Sequence, residues 1–245
     1  MDLLSLIEDP DTWISLLTLT LLEVVLGVDN LVFVSLATQA LPPERRVRAA
    51  RLGLGFAIIS RLALLASVFW LIGLTKPVFT LLGNEFSWRD LILIGGGFFL
   101  LYKATQEIHE EIDPDEDEIA GLKHARSFVG VIIQIALLDI VFSLDSVLTA
   151  MGMAESLVVM SLAVIIAISI MIWASGPIGG FIARHPSVKM LALGFLLLIG
   201  TTLVADGFGY HIPKGFIYAA IGFSVLVEGL NQWARRNRRS QRPPK

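Results

Sequence analysis

Apolar residues run almost unbroken for about twenty positions at a time along this chain, and short polar stretches separate the runs. Seven runs can be marked, roughly residues 12–40, 49–74, 90–105, 127–150, 156–175, 188–205 and 215–233, of which the third is the shortest. A helix needs about 20 predominantly apolar residues to cross about 30 Å of hydrocarbon. The pattern therefore predicts about seven transmembrane helices. Lipid offers no hydrogen bonds to the backbone, so the expected fold class is an all-α integral membrane protein.

Composition agrees, since 55% hydrophobic residues against 17% charged ones exclude an ordinary soluble domain. The N-terminal residues lack the basic leader and small-residue cleavage site of a signal peptide, so the first run is expected to be a permanent span. Cysteine is absent, which removes disulfides, thiolate metal sites and cysteine nucleophiles from consideration. The net charge of −3 says little, but its distribution orients the chain. With the N-terminus outside, 15 of the 19 Lys and Arg residues fall in cytoplasmic segments: four at Arg45–Arg51, then Lys103, Lys123, Arg126, Arg184, Lys189 and six in the C-terminal tail. Lys76, Arg89 and Lys214 fall outside, and Arg61 lies within the second run. The expected topology is N-out and C-in. The basic tail reads as an orientation signal and membrane-surface anchor, not a nucleic-acid site.

An internal repeat is visible. Leu21-Leu22-Glu23-Val24-Val25-Leu26-Gly27-Val28-Asp29-Asn30 matches Leu137-Leu138-Asp139-Ile140-Val141-Phe142-Ser143-Leu144-Asp145-Ser146, with an acid, a second acid six residues on, and then an amide or hydroxyl. The copies stand three spans apart. An odd number of spans per copy gives the two halves opposite orientation, which is the inverted repeat common in transporters, with the matched segments meeting near the midplane. The chain divides accordingly into a single transmembrane domain: repeat one at 12–105, an acidic cytoplasmic linker at 106–126, repeat two at 127–205, a seventh helix at 215–233 and a basic tail at 234–245.

Four acids near the centres of two spans are costly, at about 3 to more than 10 kcal/mol each depending on the reference state. Interhelical hydrogen bonding alone could be had more cheaply from Ser, Thr or Asn. A rotation of about 100° per residue sets positions six apart about 120° from eclipsed, so a straight helix cannot aim both of its acids at one point. Glu23, Gly27 and Asn30 share one stripe, as do Asp139, Ser143 and Ser146. Either the second acids face a neighbouring site, or the helices unwind near Gly27 and Ser143 and free backbone carbonyls as ligands.

Carboxylates, an amide and hydroxyls are hard ligands suited to Mg²⁺, Ca²⁺ or Mn²⁺, and neither stretch contains His or Cys to favour Zn²⁺ or Cu⁺. Four like charges in a low dielectric cannot all stay ionised, so protons occupy an empty site and compete with the metal. Such competition is the basis of cation/proton antiport. Moving a 2+ ion against 100 mV costs about 4.6 kcal/mol, an electrical term that two entering protons would cancel. Arg61, near the middle of the second span, is the natural counter-charge for a buried acid. Gln134, Glu228 and Asn231 read as peripheral polar packing.

The motifs Glu23-x-x-Leu-Gly-x-Asp-Asn and Asp139-x-x-Phe-Ser-x-Asp-Ser resemble the two signature motifs of the TerC family of integral membrane proteins, and the resemblance extends to the span count. The chain resembles the short members without appended cytoplasmic regulatory domains. The resemblance implies manganese export and an historical link to tellurite resistance. It also implies that Glu23, Asp29, Asn30, Asp139, Ser143, Asp145 and Ser146 form the metal path, with Mn²⁺ as transported ion, no tightly bound cofactor, and a location in the bacterial inner membrane.

The acidic loop begins like an EF-hand at Asp113, Asp115 and Asp117, but Glu118 stands where Gly is required and His124 where a bidentate Glu is required, so it reads as a solvated linker. Gly27-Val28-Asp29 lacks the full motif of an intramembrane aspartyl protease, and HExxH, Walker A and GxSxG are all absent. The expectation is a transporter and not an enzyme, with lipid, a divalent cation and protons as partners and the oligomeric state, including a homo-oligomer, open. The alternative is a non-transporting scaffold or assembly factor of a metal or tellurite stress-resistance complex.

Overall fold

The computed structural model describes residues 9–67, 73–81, 84–113, 127–151 and 156–240. In chain order these form α1 (Pro10–Leu26), α2 (Val28–Gln39), α3 (Pro43–Ala66), a hairpin of β1 (Pro77–Leu81) and β2 (Asn84–Ser87), then α4 (Trp88–Ile112), α5 (Phe128–Met151), α6 (Leu157–Arg184), α7 (Pro186–Gly207) and α8 (Lys214–Ser240). Over the described residues, α3, α4, α6 and α7 are each long and apolar enough to cross a membrane, and the bent pair α1 and α2 supplies a fifth span if counted as one. The remaining two expected spans correspond to α5 and α8, which do not meet that measure over their described residues.

Several boundaries move. The shortest predicted run extends in both directions into the 25 residues of α4, so residues 106–112 of the predicted linker are helix. The second run contains α3, which begins earlier, at Pro43, and part of the predicted basic tail, 234–240, continues α8. The EF-hand-like residues Asp115, Asp117, Glu118 and His124 lie outside the described residues. The antiparallel hairpin was not predicted; its Phe79 and Phe86 rings stack at 5.3 Å, and Phe86 meets the edge of Phe208 beyond the end of α7 at 6.0 Å. Ser87 then starts α4 as a capping box with Asp90, each side chain accepting from the other's backbone N–H.

The first span breaks at Gly27, where α1 and α2 meet at 41°. The break is tight: the Gly27 N–H donates to the Val24 carbonyl at 3.2 Å, and the Gly27 carbonyl accepts from Leu31 at 3.0 Å. It redirects the helix without unwinding a segment. A Cβ on Gly27 would stand 2.6 Å from Met171 Sδ and 2.9 Å from the Glu23 carbonyl oxygen, so α6 presses into the space that glycine leaves. The corresponding region of α5 is continuous through Ser143. Gly27→Ala is expected to destabilise the purified protein by about 1–2 kcal/mol as an overpacking change, read as a fall in melting temperature; an unchanged melt would mean that Met171 gives way freely.

Packing centres on two contacts. α4 lies most extensively along α7, where Gly97 and Gly200 face each other so closely that a Cβ on Gly97 would be 2.7 Å from the Gly200 carbonyl. α3 packs against both α5 and α6, and α6 in turn against α1 and α2. At the other end of the α4–α7 pair, Lys189 donates to Glu111. Arg46 caps the last carbonyls of the first span, donating to Leu41 at 2.8 Å and Gln39 at 3.1 Å.

Candidate metal-transport site

Glu23 sits in the last turns of α1, one turn before the Gly27 break, and is 4% exposed. Asp139 occupies the middle of α5 and is 6% exposed. Between them stands Arg61 of α3, itself 2% exposed: Nη1 donates to Glu23 Oε2 at 2.6 Å and Nη2 to Asp139 Oδ1 at 3.1 Å. One guanidinium thus joins the first acids of the two repeated motifs. Charge-assisted bonds of this kind are the strong ones, and burial leaves them unscreened. Asp139 Oδ2 also accepts from Ser60 Oγ at 3.2 Å and from Ser143 Oγ at 3.3 Å. Ser143, predicted as a ligand, therefore helps orient Asp139.

The second acid of the first motif, Asp29, is placed differently. The Gly27 break brings Asp29 and Asn30 into the first turn of α2, where the positive end of the helix dipole favours an acid. Both line a cavity of about 70 Å³ together with Arg61, Thr202 and Asp206 of α7, Tyr218 of α8 and several apolar side chains. That is room for several water molecules, given about 10–15 Å³ for one. Asn30 is 4% exposed, and among the described residues neither its Oδ1 nor its Nδ2 has a hydrogen-bond partner. The side chains of Asp145 and Ser146 lie outside the described set.

Among the described residues no three acidic, histidine or cysteine side chains are arranged to hold a metal ion. The described acids divide instead into Glu23 and Asp139, clamped by Arg61, and Asp29 on the cavity wall beyond it. Rotation by about 120° over six residues accounts for the division. Arg61, expected from the sequence as a counter-charge, holds an acid from each motif. Sequence reasoning missed Thr202, Asp206 and Tyr218. The available signal was Thr201-Thr202-Leu203-Val204-Ala205-Asp206-Gly207, where an acid closes an apolar run. Gln134 and Glu228 are peripheral as expected: Gln134 lines a small gap with Lys103 and Glu107, while Glu228 accepts from Ser187 Oγ at 2.6 Å.

Comparison with known proteins gives concordant relatives. The chain is similar to the inner membrane protein YgdQ of Escherichia coli K12, at 54% identity over 92% of this chain and 94% of that protein. It is also similar to the inner membrane protein YoaE and to YegH from the same strain, at 52% identity each, covering 94% and 95% of this chain but 44% of each of those longer proteins. No solved structure matches. An inner-membrane location agrees with these names and with the apolar spanning helices. A family model described as the integral membrane protein TerC family matches residues 8–242, and the chain belongs to that family.

Proposed function

We propose that the chain is a divalent cation transporter that exports Mn²⁺ in exchange for entering protons. The observation that carries the proposal is Arg61 bonded to Glu23 and Asp139, one acid from each motif copy. Two buried carboxylates facing each other need a cation between them. The Arg61 guanidinium fills that role. A divalent ion passing through the clamp toward the adjoining cavity competes with Arg61 for the same oxygens, and protons compete with both. Hard oxygen donors suit Mn²⁺ over softer metals. A gap of about 10 Å³ beside Asn30 and Asp139, lined by Phe33, Val34, Leu54, Ile135 and Phe142, is too small for a hydrated ion.

The seven-span inverted repeat with N-out topology belongs to the same proposal. Exchange of the two halves maps α3 against α5 onto α6 against α1 and α2, and maps the α4–α7 pair onto itself; all these pairs are in contact. Gly97-Phe98-Phe99-Leu100-Leu101 in α4 is echoed by Gly194-Phe195-Leu196-Leu197-Leu198 in α7. The Lys189–Glu111 pair brings the end of α4 and the start of α7 to one end of the bundle, as opposite orientations demand.

The test is Mn²⁺ uptake into everted vesicles with an inside-acid gradient, comparing the native chain with Asp29→Asn and Asp145→Asn. Gradient-driven uptake that falls at least tenfold in both variants is the expected result. No uptake of Mn²⁺ or of other divalent ions by well-expressed native protein would overturn the proposal in favour of a scaffold role.

A further inference from the structure

The cavity beside Arg61 holds more ligand chemistry than the clamped acids use. Asn30 places a buried amide there with both polar atoms unpartnered. Burying an amide without hydrogen bonds is unfavourable, a cost that a guest in the cavity removes. Thr202 Oγ1 donates its proton to the Ile199 carbonyl at 2.8 Å, which fixes the hydroxyl and leaves its lone pairs to accept. Asp206 is a carboxylate at the end of α7 whose Oδ1 lies 3.1 Å from His211 Nδ1, leaving Oδ2 for another partner. Asp29 supplies a second carboxylate from α2. Arg61 forms part of the wall, between this cavity and the Glu23–Asp139 pair.

We infer that the cavity is a separate cation station, in which Asp206 and Thr202 act as ligands with Asp29 and the Asn30 carbonyl oxygen for a hard divalent ion that keeps part of its water. The inference rests on the transport proposal and extends it. Two carboxylates, an amide oxygen and a hydroxyl are an oxygen-only set that matches Mn²⁺ or Mg²⁺ with waters completing the shell. Under the N-out topology the end of α7 faces the extracytoplasmic side, so this station is where an exported ion pauses before release. Asp29 and Asn30 come from the first motif copy; Asp206 comes from a helix outside both motifs.

The test is Mn²⁺ binding to the purified full-length chain in detergent, followed by the electron paramagnetic resonance signal of free Mn²⁺, together with vesicle transport over a range of Mn²⁺ concentrations. Asp206→Asn is expected to weaken Kd at least tenfold and to raise the KM for transport similarly while the rate at saturating Mn²⁺ stays within a few fold. Glu23→Gln and Asp139→Asn are expected to reduce the rate at every concentration. Glu85→Gln, in the hairpin, is expected to leave both measurements unchanged. If Asp206→Asn does not give monodisperse protein, Thr202→Val carries the same test with a smaller expected shift. Native Kd and KM in these variants, with transport by the native chain intact, would overturn the station and leave the transport proposal standing. A native chain that neither binds nor transports Mn²⁺ would overturn both.

Discussion

Arg61→Met is expected to destabilise the protein by about 3–5 kcal/mol, the usual cost of removing one partner from a buried ion pair. Arg61 is 2% exposed and bonds to both Glu23 and Asp139. Its loss removes the shared positive charge from two buried carboxylates, while Asp139 keeps Ser60 and Ser143 as hydroxyl donors. The physical claim is specific to charge, so removing the acids as well should restore stability. The triple variant Glu23→Gln, Arg61→Met, Asp139→Asn is expected to melt within a few degrees of the native chain, while Arg61→Met alone melts far lower. Arg61→Lys should fall between them, because one ammonium cannot reproduce the planar fork that spans both acids. Thermal melts in detergent decide the matter. An Arg61→Met variant as stable as the native chain would show that the acids shed their charge without it.

Gly97→Leu is expected to separate α4 from α7 and cost at least the roughly 3 kcal/mol that marks severe overpacking. At Gly97 even a single added carbon would meet backbone on the facing helix: the Gly200 carbonyl at 2.7 Å and the Val204 nitrogen at 2.9 Å. Backbone cannot rotate aside as a side chain can. Within lipid, moreover, helices associate through close packing of small residues and not through a hydrophobic driving force, so a lost approach is not replaced. The same displacement moves Thr202 and Asp206, which lie on α7 just beyond this crossing, so Mn²⁺ transport should fall with stability. The checks are a melt and a vesicle assay on one preparation. Gly95→Ala, at a position where an added Cβ meets nothing within 4 Å, is the matched control and is expected to be neutral.

Much of the site could be read in advance because intramembrane charge is expensive. Glu23, Asp29, Asp139 and Asp145 stood out against apolar surroundings, and their matched spacing gave the repeat without any structure. The same cost marks Arg61 as their counter-charge, whereas the unwinding expected near Gly27 and Ser143 is a 41° break at Gly27 and a continuous α5 at Ser143. Asp206 escaped notice because it closes its span, where an acid has an ordinary explanation in contact with water. Thr202 and Tyr218 carry no charge, so nothing in their local sequence separates them from other spanning residues. The hairpin at Pro77–Leu81 and Asn84–Ser87 is hard to read from the sequence because Val78 and Phe79 extend the preceding hydrophobic run, and a short apolar run does not by itself separate a strand from a helix.

By itself the sequence determined that the chain lies in a membrane as helices, that two of its segments are copies, and which buried charges must find partners. These follow from local quantities: hydropathy over a span, spacing of like residues, and the cost of one charge in lipid. Tertiary structure decided which acids share a cation and which face a cavity. Sequence spacing leaves the rotation of one helix against another free, and the 41° turn at Gly27, the continuous passage of α5 through Ser143 and the close crossing at Gly97 and Gly200 set that rotation. Only their combination brings Arg61 between Glu23 and Asp139 and places Asp206 across the cavity wall from Asp29.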